Sequence, residues 1–204
     1  MNVQEAMAAR HGVRQYKNQA LTAEAIAALR TEIEAYSEES GLHIQLVTNE
    51  PKAFDGFMAH YGKFSGVTNY LALIGKKGPE LEQKCGYYGE RLVLKAQQLG
   101  LNTCWVAMTY SKIKTAFVLD SGEKLCIVIA LGYGETQGVP HKSKPVKDVM
   151  SVAGQAPQWF RDGVEAALLA PTAMNQQKFV LSLDGNGSLQ SPDWAFTARS
   201  TWES

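Results

Sequence analysis

The stretch "KLCIVIALGYGE", residues 124–135, decides how the rest of the chain must fold. From Leu125 to Leu131 it carries no charge and is mostly aliphatic, so a strand there is stable only where both of its faces are covered. It is expected at the centre of a sheet. Working outward, "LHIQLVT" at 42–48 alternates as a strand, "NYLALIG" at 69–75 reads as a more buried one, and "LNTCWVAM" at 101–108 and "KFVLSL" at 178–183 are further β-prone runs.

Helical spacing fills the intervals. Residues 2–10 place Val3, Ala6, Met7 and Arg10 on one side, with Gly12 positioned to end the helix. Thr22 caps a second helix that carries Ile26, Leu29 and Ile33 to about Tyr36. A third, from Tyr87 to Leu99, aligns Tyr88, Leu92, Ala96 and Leu99, and Gly100 supplies a left-handed stop. A last helix covers about 158–169, after the Gly- and Lys-rich connector "GVPHKSKPVKD". The sum is an α+β domain, with a parallel sheet and crossover helices as the open alternative.

Composition narrows the function. The 204 residues are 45% hydrophobic and 20% charged, enough for a substantial core in one domain. Twenty basic residues balance twenty acidic ones, which gives no electrostatic reason to expect nucleic acid or an anionic membrane as partner. Cys85, Cys104 and Cys126 are odd in number and form no CxxC pair, so a disulfide framework or zinc site is not expected. "MNVQEAMAARHGVR" lacks the apolar core of a signal peptide, and no apolar run reaches membrane-spanning length. A cytoplasmic protein is the expectation.

Two local groups of cations stand out: Arg10, His11 and Arg14, and then Lys142, Lys144 and Lys147. Each group alone reads as helix-end or solvated charge; together they suit a phosphate, which guanidinium forks and ammonium points both bind. "GYGETQG" at 132–138 fails as a dinucleotide fingerprint, because its third Gly comes one residue late and no helix start follows. There is no Walker loop and no nucleophile-elbow Ser, and His43, His60 and His141 have no Cys or carboxylate at ligand spacing. No metal and no catalytic acid or base is expected.

Three segments, "RHGVRQY" at 10–16, "LGLNTCWVAM" at 99–108 and "LAPTAMNQQKF" at 169–179, together resemble the FMN-dependent nitroreductase family. That family usually carries Arg-(Arg/His)-Ser-x-Arg near its amino terminus and Ala-Pro-Ser-x-x-Asn-x-Gln-Pro-Trp. The late placement of the second pattern is similar to a shorter subgroup. The resemblance implies a central mixed or antiparallel sheet flanked by helices in an intertwined homodimer, with residues 1–192 as one FMN-binding domain. It implies that Arg10, His11, Gly12 and Arg14 approach the FMN phosphate and ribityl chain, joined by Lys142 and Lys144. Pro171, Thr172, Ala173 and Asn175 would lie along the flavin, Gln177 would support them, and Trp105, Val106 and Ala107 would pass one face and edge of the ring. The amides of 175–177 suit a flavin edge that alternates acceptors and donors; the bland reading is local turn bonding after Pro171.

The implied activity is hydride transfer from NAD(P)H to flavin and on to a small-molecule acceptor, nitroaromatic or quinone-like, by a ping-pong mechanism. The alternatives are a non-catalytic flavin-binding or flavin-handling protein of the same fold, and an interaction domain that has lost the cofactor. Gly12 replaces the usual Ser, and Lys178 and Phe179 stand where Pro-Trp is common. The tail "DWAFTARSTWES", from 193, departs from the family's Asp-Leu-Gly-Ile. Read from the last base of the Asp193 codon, the genetic code gives Leu, Gly and then Phe, Leu, Ile or Val, so a lost base is expected to make 194–204 a shifted frame.

Overall fold

The computed structural model describes residues 1–152, 154–183 and, as backbone, 189–190; the unusual tail at 194–204 lies outside them. The chain divides into two compact units, Met1–Pro140 and His141–Ser204.

In the first unit, the helices are α1 (Val3–Ala9), α2 (Ala23–Ser40), the short α3 (Phe57–Tyr61) and α4 (Leu81–Gln98). The strands are β1 (His43–Val47), β2 (Asn69–Lys76), β3 (Asn102–Val106) and β4 (Glu123–Gly132). The four strands form a sheet in the order β1-β2-β4-β3, antiparallel at every pairing. The parallel alternative does not apply to this sheet. β4 occupies the interior position expected of it, with Leu71 opposite Ile129 on one side and Trp105 opposite Ile129 on the other.

Period-2 geometry sends alternate residues of β2 and β4 to opposite faces. Leu71, Leu73 and Ile129 pack with Ile33, Leu92 and Val93 of α2 and α4. Tyr70, Ala72, Val128 and Ala130 pack with Val13, Tyr16, Phe54, Phe64 and Phe117. Covering both faces is what permits the uncharged run of β4. The helix starts follow local chemistry: the Asn2 side chain accepts from Glu5 N while Glu5 returns to Asn2 N, and Thr22 Oγ1 accepts from Ala25 N.

Two expectations need correction. α4 begins at Leu81, six positions before Tyr87, because Leu81 and Cys85 continue its buried face. Gly12 does not end α1; the chain leaves the helix in extended conformation at Arg10 (φ −73°, ψ 122°). Gly12 instead bridges Thr103 in parallel, and Val13 N donates to Thr103 O at 3.0 Å. The 12–17 segment thus lies against the edge of β3, where otherwise unpaired backbone groups would face solvent. It is fastened further along by Ser65 N to Arg14 O (3.0 Å), Tyr16 N to Ser65 O (2.9 Å) and Lys17 N to Tyr133 O (2.8 Å).

The second unit is built on α5 (Gln158–Leu169), whose buried Phe160, Val164 and Leu168 recur every four residues. They pack with Val149, Ala156, Phe179 and Leu181. A small sheet in the order β5-β6-β7 joins β5 (Met150–Val152) to β6 (Leu181–Leu183) in parallel, and β6 to β7 (Leu189–Gln190) antiparallel. β6 is shorter than the strand expected at 178–183, and β5 is too short for its sequence pattern to announce it. Among the described residues, no helix is long and apolar enough to cross a membrane.

Gly66 tests the fastening. Its φ is +69°, and a Cβ there would lie 2.0 Å from Tyr16 O. Gly66→Ala is expected to cost about 3 kcal/mol or more, since left-handed strain and a backbone collision add. At Gly100, φ is +76° but nothing lies within 4 Å of the added atom. Gly100→Ala should cost only about 1 kcal/mol, the left-handed penalty alone; urea unfolding of the two variants compares them.

Candidate functional site

Pairing of residues 12–13 with Thr103 places two of the three motif segments side by side in the first unit. Arg10, His11, Gly12 and Arg14 run beside the strand that carries Trp105 and Val106. Arg14 is exposed, His11 half-buried and Gly12 exposed, while Val106 is buried and Ala107 is exposed just beyond the end of β3. The Arg14 guanidinium stands 5.7 Å from the centroid of the Phe64 ring, a cation–π distance. Burial pushes the Cys104 thiol above its ordinary value, opposed by a hydrogen bond with Arg14 and by the Arg10 charge.

Arg10 behaves differently from its neighbours. It is only 5% exposed, and its Nε lies 3.4 Å from Glu90 Oε1 on α4. The other oxygen of that carboxylate, Oε2, accepts from the indole Nε1 of Trp105 at 2.9 Å. Burial raises the Glu90 pKa; Arg10 and the Trp105 hydrogen bond oppose that rise without cancelling it. Sequence reasoning missed Glu90. It lies outside the three motif segments, and only the fold brings residues 10, 90 and 105 together.

In the second unit, the 171–177 loop and the 142–144 loop are joined by the amides. Gln177, 1% exposed, accepts from Lys144 N through Oε1 (2.8 Å) and donates from Nε2 to Lys142 O (2.8 Å) and Asn175 Oδ1 (2.7 Å). Asn175 Nδ2 also donates to Lys142 O at 2.8 Å, and Lys144 Nζ donates to Gln177 O at 2.9 Å. Thr172 Oγ1 accepts from Gln177 N at 3.0 Å. Bonds to the 142–144 backbone, more than within the turn itself, therefore take up much of the amide capacity, and Gln177 holds the loop carrying the two lysines.

Backbone strain concentrates in the same loop. Met174, Asn175 and Gln177 have φ of 52°, 55° and 47°, left-handed values that Asn tolerates better than Met or Gln. Pro171 and Thr172 are half-buried and Ala173 is exposed, as are the Lys142 and Lys144 residues. His141 Nδ1 is buried without a hydrogen-bond partner among the described residues.

One expectation about the histidines changes. The sheet brings Asp120 and Glu123 to His43: Nδ1 lies 2.9 Å from Glu123 Oε2 and 4.0 Å from Asp120 Oδ2. Sequence spacing could not show this, because the partners are about eighty residues apart. Gln45 indicates what the cluster does. Its Oε1 accepts from Val118 N and its Nε2 donates to Val118 O, which fixes the amide, and the same Nε2 lies 2.9 Å from His43 Nε2. His43 Nε2 must accept there, so Nδ1 carries the proton toward Glu123. This arrangement turns a proton, not a lone pair, toward the carboxylates. Burial pushes the Glu123 carboxyl up, but hydrogen bonds from His43 and Asp120 N outweigh it and hold the pKa below the usual range.

The antiparallel sheet with its flanking helices is the nitroreductase fold. A structure described as a "putative nitroreductase" from Thermotoga maritima superposes with a TM-score of 0.59 at 21% identity, covering 91% of this chain and 73% of that one. A "putative nitroreductase in complex with FMN" from Desulfovibrio desulfuricans gives 0.56 at 16% identity, covering 77% and 98%. A "Putative NADH dehydrogenase/NAD(P)H nitroreductase" from Parabacteroides distasonis gives 0.56 at 21%, covering 73% and 97%. The profile of the family described as "Putative TM nitroreductase" matches residues 2–201, and the chain belongs to that family. No curated protein matches it.

Two outcomes follow from these geometries. Gln177→Leu removes the acceptor of Lys144 N and leaves Lys142 O with Asn175 Nδ2, and should destabilise the second unit by about 1–3 kcal/mol, read as faster amide exchange at residues 142–144. The raised pKa of Glu90 fixes a sign: its contribution to stability is present below the ordinary carboxylate pKa and is lost as pH rises through the folded value. Thermal melts should therefore show wild type losing ground to Glu90→Gln as pH rises from strongly acidic to neutral.

Proposed function

We propose that this protein is an FMN-dependent oxidoreductase, reduced by NAD(P)H and reoxidised by a nitroaromatic or quinone-like acceptor in a ping-pong cycle. The observation that carries the reading is the docking of residues 12–13 on Thr103, which makes one surface from the segment resembling the phosphate motif and the segment resembling the flavin edge. Family membership supports it, as do related folds described with FMN and as an NAD(P)H nitroreductase.

The donor set fits the cofactor. Exposed Arg14 and half-buried His11 offer a guanidinium and an imidazole to a phosphate from the first unit. In the second, Lys144 is held in place through Gln177, and the unpartnered His141 Nδ1 adjoins Lys142 in sequence. Arg10, already engaged by Glu90, orders the segment more than it offers a free fork. FMN, when bound, would supply the two-electron chemistry of accepting and releasing hydride. The chain's own residues would bind and orient it: in the first unit, Arg14 and His11 at the phosphate and the Trp105–Ala107 backbone along the ring edge. No side chain is assigned a proton-transfer role.

A homodimer in which the 171–177 loop reaches the partner's flavin belongs to the proposal, as does a reducing, cytoplasmic setting, in keeping with the three free cysteines. The test is the visible absorbance of the purified protein. A yellow protein bleached anaerobically by NADH or NADPH and restored by a nitroaromatic is expected, with Arg14→Ala weakening FMN binding by about tenfold or more through loss of a charge-assisted contact. Bound flavin that neither nucleotide bleaches would indicate the non-catalytic flavin-handling alternative, and colourless protein that ignores added FMN would reject both.

A further inference from the structure

Two residues of the flavin reading, Arg10 and Trp105, meet behind the surface at one point on α4. Glu90 contacts Trp105 Nε1 with one carboxylate oxygen and Arg10 Nε with the other. Its neighbour Gly89 acts on the far end of the same indole: a Cβ at 89 would lie 2.4 Å from Trp105 Cη2, 3.1 Å from Cζ2 and 2.7 Å from Leu73 Cδ1. No side chain fits there unless the six-membered ring moves. One position thus makes room for the ring and the next grips its N–H. The helix is a firm base, since Leu92, Val93 and Ala96 just beyond are fully buried.

A structural role alone explains this poorly. Apolar residues of similar volume commonly serve stability as well as a partly buried ion pair or better, because charges lose hydration on burial. Here Glu90 keeps a carboxylate whose burial opposes its charge, and it spends both oxygens on residues from two different motif segments. We propose that the Gly89–Glu90 step of α4 is a positioning element of the cofactor site, setting the Trp105 indole and the Arg10 guanidinium in one arrangement before the ligand arrives. The inference rests on the flavin reading for the identity of the ligand, but the coupling of residues 10, 89, 90 and 105 stands apart from it. Glu90 would act through Arg10 and Trp105 without touching the cofactor.

The experiment uses the full chain, with FMN as the probe and the Trp105 indole N–H resonance, assigned through Trp105→Phe, as a readout that needs no flavin. Glu90→Gln keeps an acceptor for the indole but removes the charge from Arg10. It should leave the resonance near its wild-type position yet weaken FMN by about tenfold, the scale of a lost charge-assisted bond. Gly89→Ala keeps the charge but displaces the ring, and should both move the resonance and weaken FMN by about tenfold. If both variants fold as wild type by urea unfolding and bind FMN within about twofold of it, the proposal is overturned. Should wild type itself bind no FMN, the flavin reading fails separately. The resonance then decides the coupling: unmoved in Gly89→Ala and in Glu90→Leu, it refutes the cradle, and moved in both, it upholds it. If Glu90→Leu does not fold, Gly89→Ala carries the decision alone: a moved resonance upholds the cradle and an unmoved one refutes it.

Discussion

The first unit depends on one constraint: β4 is apolar on both faces, so both faces must be covered. α2 and α4 cover one, and aromatic residues from the loops, with the 12–17 segment, cover the other. Burial of apolar area supplies the driving force, and the backbone hydrogen bonds to β2 and β3 determine how that area is presented. The motif segment after α1 thereby becomes part of the core, with Val13 and Tyr16 nearly inaccessible.

Site geometry follows from that use. Val13 and Tyr16 point into the core, so the intervening Arg14 faces out, where its guanidinium meets the Phe64 ring. Arg10, at the turn from α1 into this segment, is drawn back toward α4 and its carboxylate. Neighbouring cations therefore hold different environments: Arg10 caps the end of α1 and reaches back to Glu90, whereas Arg14 lies between the two buried anchors of the segment that follows. In the second unit, strain at three left-handed residues is held by a network centred on a buried amide. Such over-determined loops are where backbone strain can persist.

Much of this was legible. The interior strand showed in the uncharged run, α2 in its Thr22 cap and three-to-four spacing, and α5 as the helix expected at about 158–169. The first turns of α4 were not, since "LEQKCG" mixes charge and glycine and only the buried Leu81 and Cys85 reveal its inner face. β5 is three residues long, below the length at which alternation can be recognised. The amides at 175 and 177 read as hydrogen-bonding groups, correctly, but their partners, the 142–144 backbone, lie more than thirty residues away.

By itself, the order of residues determined most of the helices and strands, that β4 lies inside a sheet, and which three stretches bear the family pattern, because these depend on local periodicity and residue chemistry. Only the tertiary structure decided what each charge meets. It paired Arg10 and Trp105 with Glu90, His43 with Glu123, and Lys144 with Gln177, contacts between residues far apart in the chain. Electrostatic and hydrogen-bonding energies depend on distance in space and on burial, and neither is written in the spacing of a sequence.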